Sequence, residues 1–394
     1  MRAILVGAGA SYECGMPLVW EFTAELRSNV LRRLDSHLFD FRKQPAFRTY
    51  FQSLLSDSTL HYEQMVGKLE TIYLQGGANA QIAFDTARQL IDCVQILLLE
   101  DQQKTTPLLA AKVQDYSGLK QLLADQLWVD VFSLNHDVNI EEICRFHGIP
   151  CRDGFFDLDA KRYGHIAPFK TLSREHLDTG ALNFYGPEGG GINLVKLHGS
   201  LDMFAVEDKE LYLKVAPPID APLGSHVTEI YRVENHSNGV CANLQTRGIG
   251  ELFVNDASGE LQFLRRSLLS GAHKFKERFE QIAPVAFFNE FKKRLAAATQ
   301  LDVIGYGFGD RHVNDALVEW IANPTVSVNV YDPKRSESPP ELLGWADRVR
   351  IFNFGLTGYC EGLGQSTDSL LSRARKQALE HARERLRQKR ASCT

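Results

Sequence analysis

The sequence predicts an α/β protein, a parallel β-sheet flanked by helices and interrupted by one large helical insertion. Three observations carry this. Short β-prone runs alternate with stretches of helical spacing at both ends of the chain, the helical stretches are long enough to cross between parallel strands, and the pattern from about residue 20 to 127 stays helical throughout.

Taken in order, Ala3 to Val6 is β-prone and ends in Gly7-Ala8-Gly9-Ala10-Ser11. Trp20, Phe22, Leu26, Val30 and Leu34 then recur at helical spacing, so strand, glycine turn and helix follow one another. The same spacing continues through Met65, Leu69, Ile72, Phe84, Ala87, Leu90, Val94 and Leu98, which makes 20–127 a helical insertion. Strand character returns at 128–134, before Asn135-His136-Asp137 and a helix over 140–146, and again at 192–197, before His198-Gly199-Ser200. Between 204 and 266 only short β-prone pieces (210–215 and 252–254) stand out, and no strong periodic element is expected. The last third reads as helix 289–298, strand 302–305, glycines at 307 and 309, helix 313–322, strand 325–331 ending at Asp332-Pro333, strand 349–354, and a helix from 368 to about 388. The expected organisation is a Rossmann-like domain from 1–19 and 128–365, the insertion 20–127, and a basic C-terminal helix within 366–394.

Composition sets bounds on function. The 394 residues are 44% hydrophobic and 24% charged, an ordinary globular balance. A net charge of −5 gives no global reason for a nucleic-acid partner. The charge is uneven, because 366–394 carries eight Lys/Arg against three Asp/Glu. That basic helix has a sparse apolar stripe (Leu370, Leu371, Ala374, Ala378, Leu386) and either docks on a neighbouring subunit or partner or is a solvated terminal helix. Without interleaved aromatics it does not read as a nucleic-acid arm. No window approaches the ~18 apolar residues of a membrane span. The run before Gly7 is shorter than the apolar region of a signal peptide, about 7–15 residues, so a cytoplasmic protein is expected. The seven cysteines (14, 93, 144, 151, 241, 360, 393) contain no Cys-x-x-Cys pair and are expected to be reduced thiols.

The turn at Gly7-Ala8-Gly9-Ala10-Ser11 offers backbone N–H groups and a helix N-terminus to a phosphate, or else is a tight turn with no ligand. It is not a Walker A loop, since no Gly-Lys-Ser/Thr follows. It also departs from the dehydrogenase fingerprint, because Tyr12 stands at the third glycine position. The polar motifs at 135–137 and 198–200, the glycine-containing turn at 305–310 and Asp332 all fall at the carboxyl ends of expected strands, the edge at which open α/β sheets bind ligands.

In this order, Gly7-Ala8-Gly9-Ala10-Ser11 with Gly15-Met16-Pro17, Asn135-His136-Asp137, His198-Gly199 and Gly305-Tyr306-Gly307-Phe308-Gly309-Asp310 resemble the motifs of the sirtuins and sirtuin-like domains. The resemblance implies NAD+ as a substrate, with its pyrophosphate at Gly7, Ala8, Gly9, Ala10 and Ser11 and with Pro17 in the adjoining loop. It places one ribose and base near Gly305, Gly307, Phe308, Asp310 and Asp332, and nicotinamide near Asn135 and His198. The four zinc-binding cysteines of protein-deacylating sirtuins are missing, so no metal is expected, and Leu18-Val19-Trp20 stands where Phe-Arg usually follows the Gly-x-Pro. Both departures weaken a deacylase reading and leave cleavage of the glycosidic bond untouched. With its Gly-Tyr-Gly-Phe-Gly-Asp late motif the chain resembles bacterial anti-phage effectors that hydrolyse NAD+. That likeness implies a homo-oligomer and, for some such effectors, a HerA-type ATPase partner.

Nicotinamide leaves ribose as a neutral ring through an oxocarbenium-like state, so the protein must supply position and electrostatics rather than an acid. Asn135 offers both donor and acceptor to a water or to ribose hydroxyls, and His198 is the expected general base. Asp137 either orients the nicotinamide amide and polarises the developing cation or caps the helix that follows. Ser11 contacts phosphate, caps a helix, or both. Asp332 either accepts from a ribose hydroxyl or starts a turn, and His136 is expected to back the site. The leading reading is an NAD+ glycohydrolase. ADP-ribosyl transfer or deacylation, and a non-enzymatic sensor of an NAD derivative, are the alternatives.

Overall fold

The computed structural model describes residues 1–34, 39–42, 44–157, 160–246, 248, 250–268, 282–364 and 370–392. Its strands are β1 (Arg2–Val6), β2 (Trp128–Ser133), β3 (Cys151–Arg152), β4 (Phe169–Ser173), β5 (Gly191–Lys196), β6 (Gly199–Val206), β7 (Leu211–Val215), β8 (Leu252–Asn255), β9 (Leu261–Leu268), β10 (Gln300–Ile304), β11 (Ser327–Tyr331) and β12 (Val349–Phe352). Its helices are α1 (Ala8–Tyr12), α2 (Val19–Arg33), α3 (Pro45–Ser56), α4 (Tyr62–Gln75), α5 (Ala80–Lys112), α6 (Asn139–Phe146), α7 (Arg174–Thr179), α8 (Ser225–Asn243), α9 (Ile282–Ala297), α10 (Arg311–Ile321), α11 (Leu356–Gly364) and α12 (Leu370–Ser392). A 3₁₀ segment, Val113–Leu123, follows α5.

Seven strands form a parallel sheet in the order β12-β11-β10-β1-β2-β5-β3. β1 lies inside it, with Leu5 opposite Phe132 of β2 and Val303 of β10. Ala3, Ile4, Leu5 and Val6 are all buried, the continuous apolar run of a strand covered on both faces. On one face Leu5, Phe132, Val195 and Val303 meet Phe287 and Phe291 of α9 and Leu317 of α10. On the other, Ile4, Val6, Val131 and Ile304 meet Leu109, Tyr116, Ile143 and Tyr359. The expected Rossmann-like sheet flanked by helices is therefore the observed fold.

The insertion has its own core, drawn from Phe22 to Leu97. Leu109, Val113, Tyr116, Leu119 and Leu122 belong to the core under the parallel sheet, so α5 begins in the insertion and finishes on the main domain.

A second, antiparallel sheet has the order β4-β7-β6-β9-β8. The segment where no strong periodic element is expected contains the 19-residue helix α8. Val227, Ile230, Val233 and Val240 do recur at helical spacing and are buried. Thr228, Tyr231, Asn235, Asn238 and Gly239 dilute the pattern with weak helix formers, so packing rather than propensity stabilises this helix.

α8 is tied to α6 by one carboxylate. Glu142 accepts from the backbone N–H groups of His226 (3.0 Å) and Gly224 (2.9 Å), from His226 Nδ1 (2.8 Å) and from Arg145 (2.6 Å). Burial pushes this carboxyl up, but the His226 side chain and the two N–H groups outweigh it and hold the pKa down to about 2. A folded pKa below the ordinary 4.5 contributes stability that is complete above pH 4.5 and is lost as pH falls toward 2. The shift corresponds to about 3 kcal/mol. Glu142→Gln is therefore expected to melt well below the wild type at pH 6, with the gap narrowing as pH falls from 4.5 toward 2, as read by thermal unfolding across that range.

α12 docks on its own chain. Arg390 donates to the Gly15 carbonyl (2.8 Å) and pairs with Asp101 (3.3 Å), Arg387 pairs with Glu21 (2.7 Å), and Arg375 pairs with Asp115 (2.9 Å). Leu379 and Leu386 face Pro107 and Leu108 of α5 across a cavity of about 430 Å³. Ala374 and Ala378 are exposed. Residues 365–369, Cys393 and the side chains of Leu370 and Leu371 lie outside the described residues. The six described cysteines are free thiols. Among the described residues no helix is long and apolar enough to cross a membrane.

Candidate active site

The carboxyl ends of β1, β2, β5 and β10 bring the predicted motifs together. Gly7 follows β1, Asn135-His136-Asp137 follows β2, His198 sits between β5 and β6, and Gly305 to Asp310 link β10 to α10.

The first glycine turn is packed backbone to backbone on the last. Gly7 N–H donates to Ile304 O (3.0 Å) and Gly9 N–H to Gly305 O (2.8 Å). These two donors, expected to be open to a phosphate, are used inside the protein, which leaves the exposed Ala8 at the first helical position. Gly305 has φ +63°, and a Cβ there would stand 2.3 Å from Ala10 N. Gly305→Ala combines a left-handed backbone with a backbone clash. It is expected to cost more than about 2 kcal/mol, seen as a lowered urea midpoint. Gly307 and Gly309 are the opposite case. Neither has a positive φ, and a Cβ at either meets nothing within 4 Å, so internal packing does not require glycine and the space beside them is open.

Asn135 is buried and its amide is committed. Nδ2 donates to Gly7 O (2.9 Å) and Ser11 Oγ (2.8 Å), so both protons hold the first turn. With Nδ2 so engaged, Oδ1 is the atom of this amide left to face a ligand. Ser11 is buried within α1, whose N-cap is Gly7, and its hydroxyl is hydrogen bonded to Asp137 rather than capping a helix. Asp137 stands one residue ahead of Val138, the N-cap of α6, and accepts from Asn139 N–H (3.1 Å). Burial raises its carboxyl above the ordinary range, with Lys196 and Ser11 pulling the other way.

Lys196, buried at the end of β5, was not anticipated. Its Nζ donates to Asn135 O (3.1 Å) and to Asp137 O, and lies 3.5 Å from Glu141. Glu141 in turn meets Lys214 of β7 (3.1 Å), which pairs with Asp202 of β6 (2.9 Å). This ionic chain joins the two sheets behind the 135–137 loop. Its signal in the sequence was a lysine inside an apolar strand, Ile192 to Leu197. Leu201 N–H (2.9 Å) and Ser200 Oγ (3.2 Å) both donate to His136 O, which clamps the same loop to the segment carrying His198.

The rings of His136 and His198 are 6.1 Å apart. His198 Nε2 lies 3.0 Å from Asp310 Oδ2, both side chains being about nine-tenths buried. Asp310 Oδ1 caps α10, accepting from His312 N–H (3.0 Å) and Val313 N–H (3.2 Å). Asp310, expected beside a ribose, also meets the histidine. The Phe308 ring is buried in the core against Tyr306 (4.8 Å) and lies under Arg335. Asp332 is half-buried and serves the turn, accepting from Lys334 N–H (2.9 Å) and lying 3.6 Å from Arg335 Nε. Pro17 is buried just ahead of α2. Among the described residues no cluster of His, Cys, Asp and Glu is arranged to hold a metal ion.

No family model and no curated relative matches the chain. Among solved structures it is similar to a Sir2 homologue in complex with NAD, with a TM-score of 0.40 and 12% identity over 96% of this chain and 90% of that one. It is similar to a structure described under the structural basis of sirtuin substrate affinity, with a TM-score of 0.42 and 12% identity over 93% of each chain. A mutant Sir2 homologue in complex with ADP-ribose aligns with a TM-score of 0.39 and 12% identity, over 96% of this chain and 93% of that one.

Proposed function

We propose that this chain is an NAD+ glycohydrolase that releases nicotinamide and ADP-ribose. One observation carries the reading: Asn135 and His198 follow adjacent parallel strands, and each is bonded to a glycine-containing turn of the same sheet edge. A dinucleotide suits such an edge, with its phosphates toward Ala8 and the first turn of α1 and its adenosine side in the open space beside Gly307 and Gly309.

In the proposed reaction, water oxygen bonds to ribose C1′ while the electron pair of the C1′–N bond leaves with nicotinamide as a neutral ring. The water proton passes to His198 and then to solvent. Asn135 Oδ1 orients the water or a ribose hydroxyl, and Asp137 supports the loop that holds it. The balance is NAD+ plus water giving ADP-ribose, nicotinamide and one proton.

On the same proposal the enzyme is an effector of bacterial antiviral defence that works as a homo-oligomer, with a HerA-type ATPase as its candidate partner. The test is nicotinamide release from NAD+ by the purified protein, alone and with that ATPase, for wild type, Asn135→Ala and His198→Ala. Release from NAD+ and water alone, lost in His198→Ala, supports hydrolysis. Release only when an acylated peptide or protein acceptor is added supports transfer. Binding of NAD+ with no release under any condition supports a sensor.

A further inference from the structure

We propose that Asp310 is a positioning residue which fixes the tautomer of His198, keeping the proton on Nε2 and making Nδ1 the basic nitrogen. This deepens the hydrolase reading and rests on it for the kinetic arm of the test only.

The geometry is specific. A carboxylate 3.0 Å from Nε2 accepts a hydrogen bond only if Nε2 carries the proton, and a neutral imidazole then presents its lone pair at Nδ1. The carboxylate also stabilises the imidazolium that forms when Nδ1 takes a proton, the part an orienting acid plays toward a histidine base in general. Asp310 is itself held from three sides. Its Oδ1 accepts from the N–H groups of His312 and Val313, its own N–H donates to Tyr306 Oη (3.1 Å), and the Tyr306 hydroxyl bonds to Asn314 Oδ1 (2.8 Å). One oxygen therefore caps α10 while the other faces His198. The charged and titratable groups on the surrounding elements include His136 and Asp137 after β2, Lys196 at the end of β5 and Tyr306 after β10, with Glu63 of α4 and Glu341 acting on Tyr306. Lys196 is turned to the Asn135 and Asp137 carbonyls, Asp137 accepts from Asn139 N–H, and the Asp310 carboxylate lies 3.0 Å from the ring.

The two roles of Asp310 can be separated, because asparagine caps helices as well as aspartate does but carries no charge. In Asp310→Asn the thermal midpoint is expected to stay close to that of the wild type, whereas kcat for nicotinamide release is expected to fall 10²-fold or more with little change in KM. The acid limb of the pH–rate profile is expected to move to lower pH, since loss of the carboxylate lowers the pKa of the base. In a His198→Ala background the same substitution is expected to cost nothing further. A rise in KM at constant kcat, or an equal loss in both backgrounds, would overturn the proposal and return Asp310 to cofactor contact. The second arm needs no turnover: with ¹⁵N-labelled histidine, the His198 ring, assigned by its absence in His198→Ala, is expected to titrate at lower pH in Asp310→Asn and to show a protonated Nε2 when neutral in the wild type. A neutral ring protonated on Nδ1, or an unchanged titration, overturns the proposal whether or not NAD+ is the substrate.

Discussion

His198→Ala is expected to lower nicotinamide release by roughly 10²–10⁴-fold, the usual contribution of a positioned general base, with KM for NAD+ changed far less. His198 is the direct test, because its ring meets the Asp310 carboxylate at the site. Asn135→Ala is expected to abolish activity for two reasons at once. It removes the oxygen proposed to orient the water or a ribose hydroxyl and also the two Nδ2 bonds that hold the first glycine turn, at about 1 kcal/mol or more for each acceptor left behind. Its thermal midpoint should fall where that of His198→Ala does not. If both variants release nicotinamide at the wild-type rate, neither side chain acts on the glycosidic bond.

Lys214→Met is expected to have the largest effect on stability, a loss of about 3–5 kcal/mol in urea unfolding, the range found when one partner of a buried ion pair is removed. Burial alone would drive this ammonium toward neutrality, but Asp202, Glu141 and Asp153 reverse that and keep it charged. The lysine is fully buried, so its removal strands Asp202, itself fully buried, without a cation. Replacing both, as Lys214→Met with Asp202→Leu, is expected to recover part of the loss. A single variant that unfolds at the wild-type midpoint would show that the network carries little of the stability. The disturbance should also reach the site, since Glu141 joins Lys214 to Lys196 and Lys196 holds the carbonyls of Asn135 and Asp137.

The parallel sheet was legible because each of its longer strands is an apolar run ending in a glycine or a polar residue, and residues at strand ends reveal an edge without coordinates. Of the antiparallel sheet only β7 and β8 showed, as the β-prone pieces 210–215 and 252–254. β6 reads as Gly199 to Val206 with Asp202 buried inside it, and that aspartate becomes intelligible only beside Lys214. At the site, sequence spacing named Asn135, His198 and Asp310 but gave two of them incomplete roles. What an amide proton or a carboxylate oxygen does depends on which turn lies against it. Here those turns come from β1 and β10, segments separated by most of the chain. The docking of α12 was illegible for the same reason, its arginines being matched by carboxylates on α2 and α5.

The placement of β1 has a consequence for synthesis. On the ribosome it can pair with β2 early, but its other side matches β10, with Arg2 opposite Gln300. At roughly 5–20 residues per second, the interval between emergence of β2 and of β10 is on the order of ten to thirty seconds. Throughout that interval a nascent apolar strand presents an unsatisfied hydrogen-bonding edge. Expression yield should therefore respond to translation speed and to chaperones that shield such edges more strongly than to substitutions on the finished surface.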